Sequence, residues 1–401
     1  MPNPTENDTY PDLRVAAPDP QRDLPSMARM IADAFHLSKS DEIADGYIGD
    51  SHFDWAVSQL VWKGDRIVHH WGVWNYLMRL GAARLKVGGV GAVATREEDR
   101  RRGIMHLAGK SSQRLMRAHG YDLSILHGGH YRQLGYVRAW NETVYHLDLT
   151  KWALQPVMQS IVALDDSYLP EVVSLYNREY AAYAGTAVRP TYHHLRIDDG
   201  FYGWLEGGRL AGYVRAQPDA GTQSLRCCEA AGDPQLGLAV LADLAGRTDC
   251  NRLTFSTLPP AHPLPRLLRS GTCRVEEEYE VEDGWKVAVI HMKSTLEKLC
   301  PLMEDRLINS PFSGWTGDLT LASDAEAIRL RIAAGRITID EKPAMQNRME
   351  GSAGIARLLI GSDDPGEIID QEGIICSGEA ETLAQTLFPN MHPMLCGLDE
   401  F

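Results

Sequence analysis

The sequence predicts a mixed α/β protein built as three successive units. Segments of strand and helix period alternate in a similar order twice, over residues 13–149 and 160–290. The texture then changes near Lys293, and the 401 residues are too many for one ordinary core. The expected units are 1–150, 151–292 and 293–401.

The first dozen residues read as a loose tail, and Leu13 to Ala17 as a short strand stopped by Pro18. Asp23 and Pro25 are helix start signals, followed by Met27, Met30, Ile31, Ala34 and Phe35 at helical spacing. Gln59 to Trp62, a Gly64-Asp65 turn, and Ile67 to Trp74 predict a hairpin. Arg84 to Thr95 is a strand unusually rich in glycine, with Gly88, Gly89 and Gly91. A helix follows from about Arg102 to His119, then a buried strand at Leu123 to Leu126, and Glu142 to Leu149 closes the unit. In the second pass Pro170 to Tyr183 and Pro234 to Thr248 are helices. Phe201 to Gln217 is a hairpin turning at Gly207-Gly208, Leu225 to Ala230 and Arg252 to Ser256 are strands, and Val275 to Ile290 is a further hairpin. In the third unit Ile328, Leu330 and Ile332 alternate with Arg329 and Arg331, as in a half-buried strand. Ile355, Leu358 and Leu359 mark one helix, and Ala380 to Phe388 another.

Composition narrows the function. Lys and Arg total 40 against 54 Asp and Glu, a formal charge of -14. So acidic a chain is a poor binder of nucleic acid, whose phosphates need a concentrated basic face, and it suits a cationic small substrate. No apolar run reaches the roughly 18 residues needed to span a bilayer. Leu236 to Gly246, among the longest, is broken by Asp243. Met1 to Asp23 lacks a basic and then apolar leader, and the 7 cysteines contain no CxxC, which together point to reduced thiols in a cytoplasmic protein.

The strongest local signal is Val93-Ala94-Thr95 running into Arg100-Arg101-Arg102-Gly103-Ile104-Met105. A strand enters a basic, glycine-containing turn that opens a helix, where free N–H groups and the helix dipole bind anionic oxygen. The alternative is a solvated charge run at an ordinary helix start. Gly89, Gly91 and Ala94 match a dinucleotide fingerprint by letter but lie within a strand. Gly103 to Gly109-Lys110-Ser111 is one residue too long for a Walker loop and falls inside the helix. His69-His70 and His193-His194 lack a third ligand nearby, so no metal is expected.

These residues, with His130-Tyr131-Arg132-Gln133-Leu134-Gly135-Tyr136 after the next strand, resemble the GNAT acetyltransferase superfamily. The whole chain is similar to its enhanced-intracellular-survival (Eis-like) branch, which joins a GNAT module, a degenerate second GNAT module and a C-terminal sterol-carrier-like domain, and whose chains tend to end in Phe, as here at Phe401. The resemblance implies an acetyl-CoA-dependent N-acetyltransferase. Val93, Ala94 and Thr95 would meet the pantetheine arm. Arg100, Arg101, Arg102, Gly103, Ile104 and Met105 would hold the pyrophosphate, with His106 beside it. Tyr131 would be the general acid and the Phe401 α-carboxylate the general base. His127 and Glu400 are the candidate acceptor contacts. It also implies a symmetric oligomer, often a hexamer in that branch. Many GNAT proteins have Gly or Ala where Met105 stands, and the loop from His127 to Tyr131 is short for the branch. The second unit has acidic Ala231-Gly232-Asp233-Pro234 before its helix and is expected to bind no coenzyme. Two other readings remain open: an apolar-ligand carrier through residues 293–401, and a coenzyme-binding scaffold without turnover.

Overall fold

A computed structural model describes residues 12–49, 51–152, 157, 159–190, 197, 200–219 and 221–401. The expected N-terminal tail and the His193-His194 pair lie outside the described residues. Three mixed sheets carry the fold, flanked by helices. The first runs in spatial order Leu13–Ala16, Gln59–Lys63, Arg66–Leu80, Ala83–Thr95, Leu123–His127, Trp285–Val289 and Val137–Arg138. The second runs Arg274–Glu278, Glu142–Asp148, Arg252–Phe255, Ser224–Ala231, Arg209–Pro218, Phe201–Glu206 and Ile161–Ala163. Each of these two sheets contains a parallel pair joined by a crossover helix: Ala83–Thr95 with Leu123–His127 through Ile104–Ala118, and Ser224–Ala231 with Arg252–Phe255 through Pro234–Arg247.

The strand pairings depart from expectation at two points. Glu142–Asp148, expected to close the first unit, lies in the second sheet. Val275 to Ile290 is not a hairpin: Arg274–Glu278 pairs with Glu142–Asp148, whereas Trp285–Val289 crosses back between Leu123–His127 and Val137–Arg138. The burial pattern explains the split. Trp285, Val287 and Ala288 are buried, so they need a covered central position, while every residue of Arg274–Glu278 is exposed, as suits an edge. The two units therefore exchange a strand.

Most other elements form where their patterns put them. The helix Leu24–Phe35 buries Met27, Met30 and Ile31, with Pro25 in its first turn. Asp23, however, does not cap it; its carboxylate accepts from the Asp19 N–H and pairs with Arg22. The third sheet places Ala327–Ala333 between Arg336–Asp340 and Gly317–Ala322, with Ile328, Leu330 and Ile332 inward. A further helix, Met292–Ile308, which the sequence analysis does not place, carries Pro301 in its interior. Its Leu296, Leu299 and Met303 join Met78, Leu85 and Val87 of the first sheet and Leu319 and Leu330 of the third in one continuous core. Among the described residues no helix is long and apolar enough to cross a membrane.

Candidate active site

The site is built around the glycine-rich strand Ala83–Thr95. It pairs in parallel with Leu123–His127 only from Val87↔Leu123 to Val90↔Leu126. Beyond Val90 the two strands part, and the strand continues to Thr95 held on its other side by Arg66–Leu80. Ala92 takes a left-handed backbone (φ 47°), and the register with the neighbouring strand shifts opposite it. This bulge reverses the side-chain alternation. Gly88 and Val90 face the helix Ile104–Ala118; after the bulge Val93 faces the same side, and Ala94 turns to the other.

Val93, Met105 and Tyr131 all pack against the apolar cluster that includes Trp71, Leu107, Leu126 and Leu134. Two of the expected coenzyme contacts and the expected acid thus share one wall. The Tyr131 ring meets Trp71 edge-on at 5.9 Å and Tyr136 at 6.2 Å. Burial raises the Tyr131 pKa above the ordinary phenol value, so the hydroxyl keeps its proton at neutral pH. The following turn, Arg132–Leu134, is closed by Gly135 at φ 81°, which explains the glycine in that motif.

The basic turn opens the helix Ile104–Ala118 without a side-chain cap. Its N-cap is Gly103 (φ 74°), and no acidic residue stands in the first turn. The N–H groups of Ile104 and Met105 therefore lie at a positive helix end that no acidic side chain caps. Arg101 is held in a left-handed conformation (φ 62°), and Arg100 and Arg101 are exposed. Arg100 Nε donates to the Thr95 carbonyl (3.2 Å), while Arg102 is tied to Asp99 (2.9 Å) and Asp12 (3.4 Å). Arg102 thus braces the turn more than it faces outward. The second unit differs at the same place. Asp233 caps Pro234–Arg247 by accepting from the N–H groups of Gln235 (2.9 Å) and Leu236 (2.8 Å). A carboxylate already fills the position an anion would need, and such a cap is worth about 1 kcal/mol to the helix.

Phe401 comes from the opposite face of the strand. A Cβ placed on Gly89 would run into the Phe401 ring, and one on Gly91 would lie 3.0 Å from its terminal carbonyl carbon and oxygen. The glycines that imitate a dinucleotide motif are a seat for the chain's last residue. Tyr76 (6.0 Å) and Trp285 (5.7 Å, edge-on) flank the Phe401 ring. Its carboxylate end thus lies one residue past the last paired position, Val90, with Tyr131 on the other side of the sheet.

A narrow cleft opens beside Trp285, lined also by Trp140, Glu142, Thr257, Glu277 and His392. His127 stacks edge-on against Trp285 at 5.4 Å and is exposed. Glu400 lies in the same neighbourhood. Burial first, then the charges of Glu142 and Asp399, push its carboxyl up to about 7, while Arg226 pulls the other way. The residue nevertheless keeps substantial solvent exposure, so water at the rim moderates the crowding. Burial also raises the Glu142 pKa, with Glu280 and Glu278 adding to it and His127 opposing it. Sequence reading missed Trp140, Glu142 and Trp285, which the strand exchange brings together, and His392, which the C-terminal segment adds to the cleft; Gly89 and Gly91 were the one local signal of the terminal seat.

His69 and His70 alternate across their strand and so face opposite sides of the sheet, which prevents them from chelating one ion. A ring nitrogen of each is engaged, by Thr95 Oγ1 and by the Ala92 carbonyl, at 2.7 Å in both cases. Burial lowers their pKa values to about 3 and about 4, and both rings are neutral at physiological pH.

Residues 20–139 match the family described as the acetyltransferase (GNAT) domain. Solved structures share the fold over nearly the whole chain. A GCN5-related N-acetyltransferase from Anabaena variabilis is similar with a TM-score of 0.76 at 14% identity, covering 97% of this chain and 100% of that one. A GCN5-related N-acetyltransferase from Kribbella flavida gives 0.73 at 17% identity, covering 97% and 98%. Eis1 from Mycobacterium abscessus gives 0.68 at 15% identity, covering 94% and 97%. Among curated proteins none matches the chain by sequence.

Proposed function

We propose that the protein transfers an acetyl group from acetyl-CoA directly to the nitrogen of a small cationic or lysine-like amine. The GNAT match supports acetyl transfer in general. The observation that carries the specific reading is the seat of Phe401 on Gly89 and Gly91, where the glycine-rich strand leaves its parallel partner.

The residues present fit the coenzyme. The strand edge from Gly91 to Thr95 offers backbone groups to an amide-bearing arm, and the uncapped helix end with Arg100 and Arg101 suits a pyrophosphate. The thioester, when bound, supplies an activated acyl group. The chain's own part is proton management. The Phe401 carboxylate accepts the proton of the incoming ammonium, directly or through water. Tyr131, kept protonated by burial, gives its proton to the departing sulfur. Glu142, Glu277, Glu400 and the indoles of Trp140 and Trp285 favour a cation in the cleft. No cysteine stands in the first 150 residues, in keeping with direct attack and no acyl-enzyme. The segment 293–401, read as sterol-carrier-like, acts as a lid that delivers the base, and the chain works as a homo-oligomer whose mass light scattering would report.

The test is to extend the chain by two glycines, which moves the carboxylate away from the strand end. Thiol release with an amine panel should be abolished while acetyl-CoA affinity by calorimetry is nearly intact. Full activity in the extended protein excludes the terminal carboxylate as base.

A further inference from the structure

The last residues reach their seat through the second unit. After the helix Ala380–Leu387 the chain passes Gly361, whose carbonyl accepts from the Met391 N–H (2.8 Å), and then Gly185, beside which the Met394 N–H donates to the Ala184 carbonyl (3.1 Å). A Cβ on Gly185 would lie 2.9 Å from the Met394 carbonyl carbon, so only glycine leaves this passage open. Met394 and Cys396 enter the core of the second unit, and Leu395 enters the core shared by the first and third.

Two residues before the terminus, Asp399 is buried at 1% exposure against Arg189. Arg189 Nε and Nη2 donate to Asp399 Oδ1 (2.9 Å) and Oδ2 (3.0 Å). The other edge of the same guanidinium donates to Glu229 Oε1 (2.8 Å) and Oε2 (2.6 Å). Tyr176 donates its hydroxyl to Asp399 Oδ2 (3.0 Å) with its ring 3.5 Å beneath the guanidinium, and Tyr213 donates to Glu229 Oε1 (2.6 Å). The backbone of Arg189 is fixed to the first sheet. Asn177 Oδ1 accepts from the Arg189 N–H (3.0 Å) and from Arg79 Nη2 (2.6 Å), and Asn177 Nδ2 donates to the Arg189 carbonyl (2.7 Å). Arg79 belongs to Arg66–Leu80, the strand that pairs with Gly89 and Gly91.

We propose that Arg189 of the second unit is the positioning residue for the terminal carboxylate, gripping Asp399 and thereby setting where Phe401 ends. The inference rests on the reading of that carboxylate as the base. A planar fork bound on both edges fixes direction as well as distance, which a lysine or an apolar contact does not. Two residues span at most about 7 Å, so fixing Asp399 confines Phe401 to the strand end. A terminus otherwise frays, and Glu400 is exposed and offers no comparable hold. The second unit, whose helix start is blocked by Asp233, then serves catalysis by holding the base.

The test combines Asp399→Asn, which keeps shape and removes the charge, with Tyr176→Phe, which removes one hydroxyl bonded to Asp399 and spares the fold if the first does not. Two readouts are taken on the full chain: kcat against the acetyl-CoA dissociation constant, and release of Phe401 by a carboxypeptidase followed by mass. Misplacement of a catalytic group by an ångström costs about 10²-fold, so kcat should fall up to that far for Asp399→Asn and less for Tyr176→Phe, with coenzyme affinity unchanged. Phe401 release should speed up in the same order, by about tenfold or more for Asp399→Asn, well below the melting temperature. If either folded variant keeps both its kcat and its resistance to carboxypeptidase, the grip is not what holds the terminus. The two readings separate: activity surviving the glycine extension removes the base, whereas carboxypeptidase sensitivity judges the grip regardless.

Discussion

A buried phenol and a crowded carboxyl set the chemistry of single residues. Tyr131 has its pKa raised by burial, which makes it a competent donor and a poor base. Tyr131→Phe removes one hydroxyl and little volume, so the fold should survive, and kcat should fall by roughly 10²–10⁴-fold with a chemistry-limited amine. An unchanged turnover number makes Tyr131 a packing residue. Glu400 carries the pH dependence. Its carboxyl sits at about 7 in the folded protein against 4.5 ordinarily. A raised acid stabilises the fold fully below its unfolded value and loses that contribution as pH rises through its folded value. Stability should therefore decline between about pH 4.5 and 7, while affinity for a cationic amine improves over the approach to and passage through 7 as the charge appears. Glu400→Gln should flatten both trends; a wild-type-like pH profile of KM in that variant removes Glu400 from the acceptor site. Tyr131 was legible through its motif. The position of Glu400 in the chain was legible too, but its shifted titration was not, because Glu142, Asp399 and Arg226 meet it only in space.

Among elements, the strand Ala83–Thr95 was legible as a strand with an odd glycine content, while the cause of that content was not. Gly88 leaves room for Met116 on one face, and Gly89 and Gly91 leave room for Phe401 on the other. No local rule links position 89 to position 401. Gly89→Ala should push the Phe401 ring off its seat, since an added Cβ would collide with it. The expected result is a loss of kcat approaching that of the glycine-extended chain, with acetyl-CoA affinity changed little. Calorimetry showing that coenzyme binding is lost instead would assign the glycine to the coenzyme arm. The two crossover helices show how much one residue decides: Gly103 leaves the N–H groups of one helix open, and Asp233 fills those of the other. That contrast was readable in the sequence because caps are local. The helix Met292–Ile308 was not, because Pro301 masks a pattern that tertiary packing overrides.

At the scale of the whole molecule the exchanged strands decide what can fold alone. The segmentation at residues 150 and 292 follows the order of elements, but Trp285–Val289 completes the first sheet from beyond the first boundary, and Glu142–Asp148 leaves it for the second. Sequence order could not reveal this, since a crossing strand has the same hydrophobic pattern as a sequential one. A fragment of residues 1–150 lacks the strand that pairs on both sides with Leu123–His127 and Val137–Arg138, and it exposes Leu123, Ile125 and Val137. It also loses Met292–Ile308, which is tied to the first unit where Lys298 Nζ and Ser294 Oγ reach Asp122 at 2.5 Å and 2.7 Å. Asp122 is fully buried in the whole chain, and without that helix its carboxylate loses its cationic partner, Lys298, and keeps the Lys86 N–H (2.7 Å). The fragment 1–150 should accordingly be aggregated or molten, with weak near-ultraviolet dichroism and no cooperative thermal transition. Adding residues 151–308 restores the strand and the helix and should restore a cooperative transition and acetyl-CoA binding, yet not transfer, because the terminus is still missing. A fragment 1–150 that unfolds cooperatively and binds acetyl-CoA with native affinity would show that the exchanged strand decorates the first sheet without completing it.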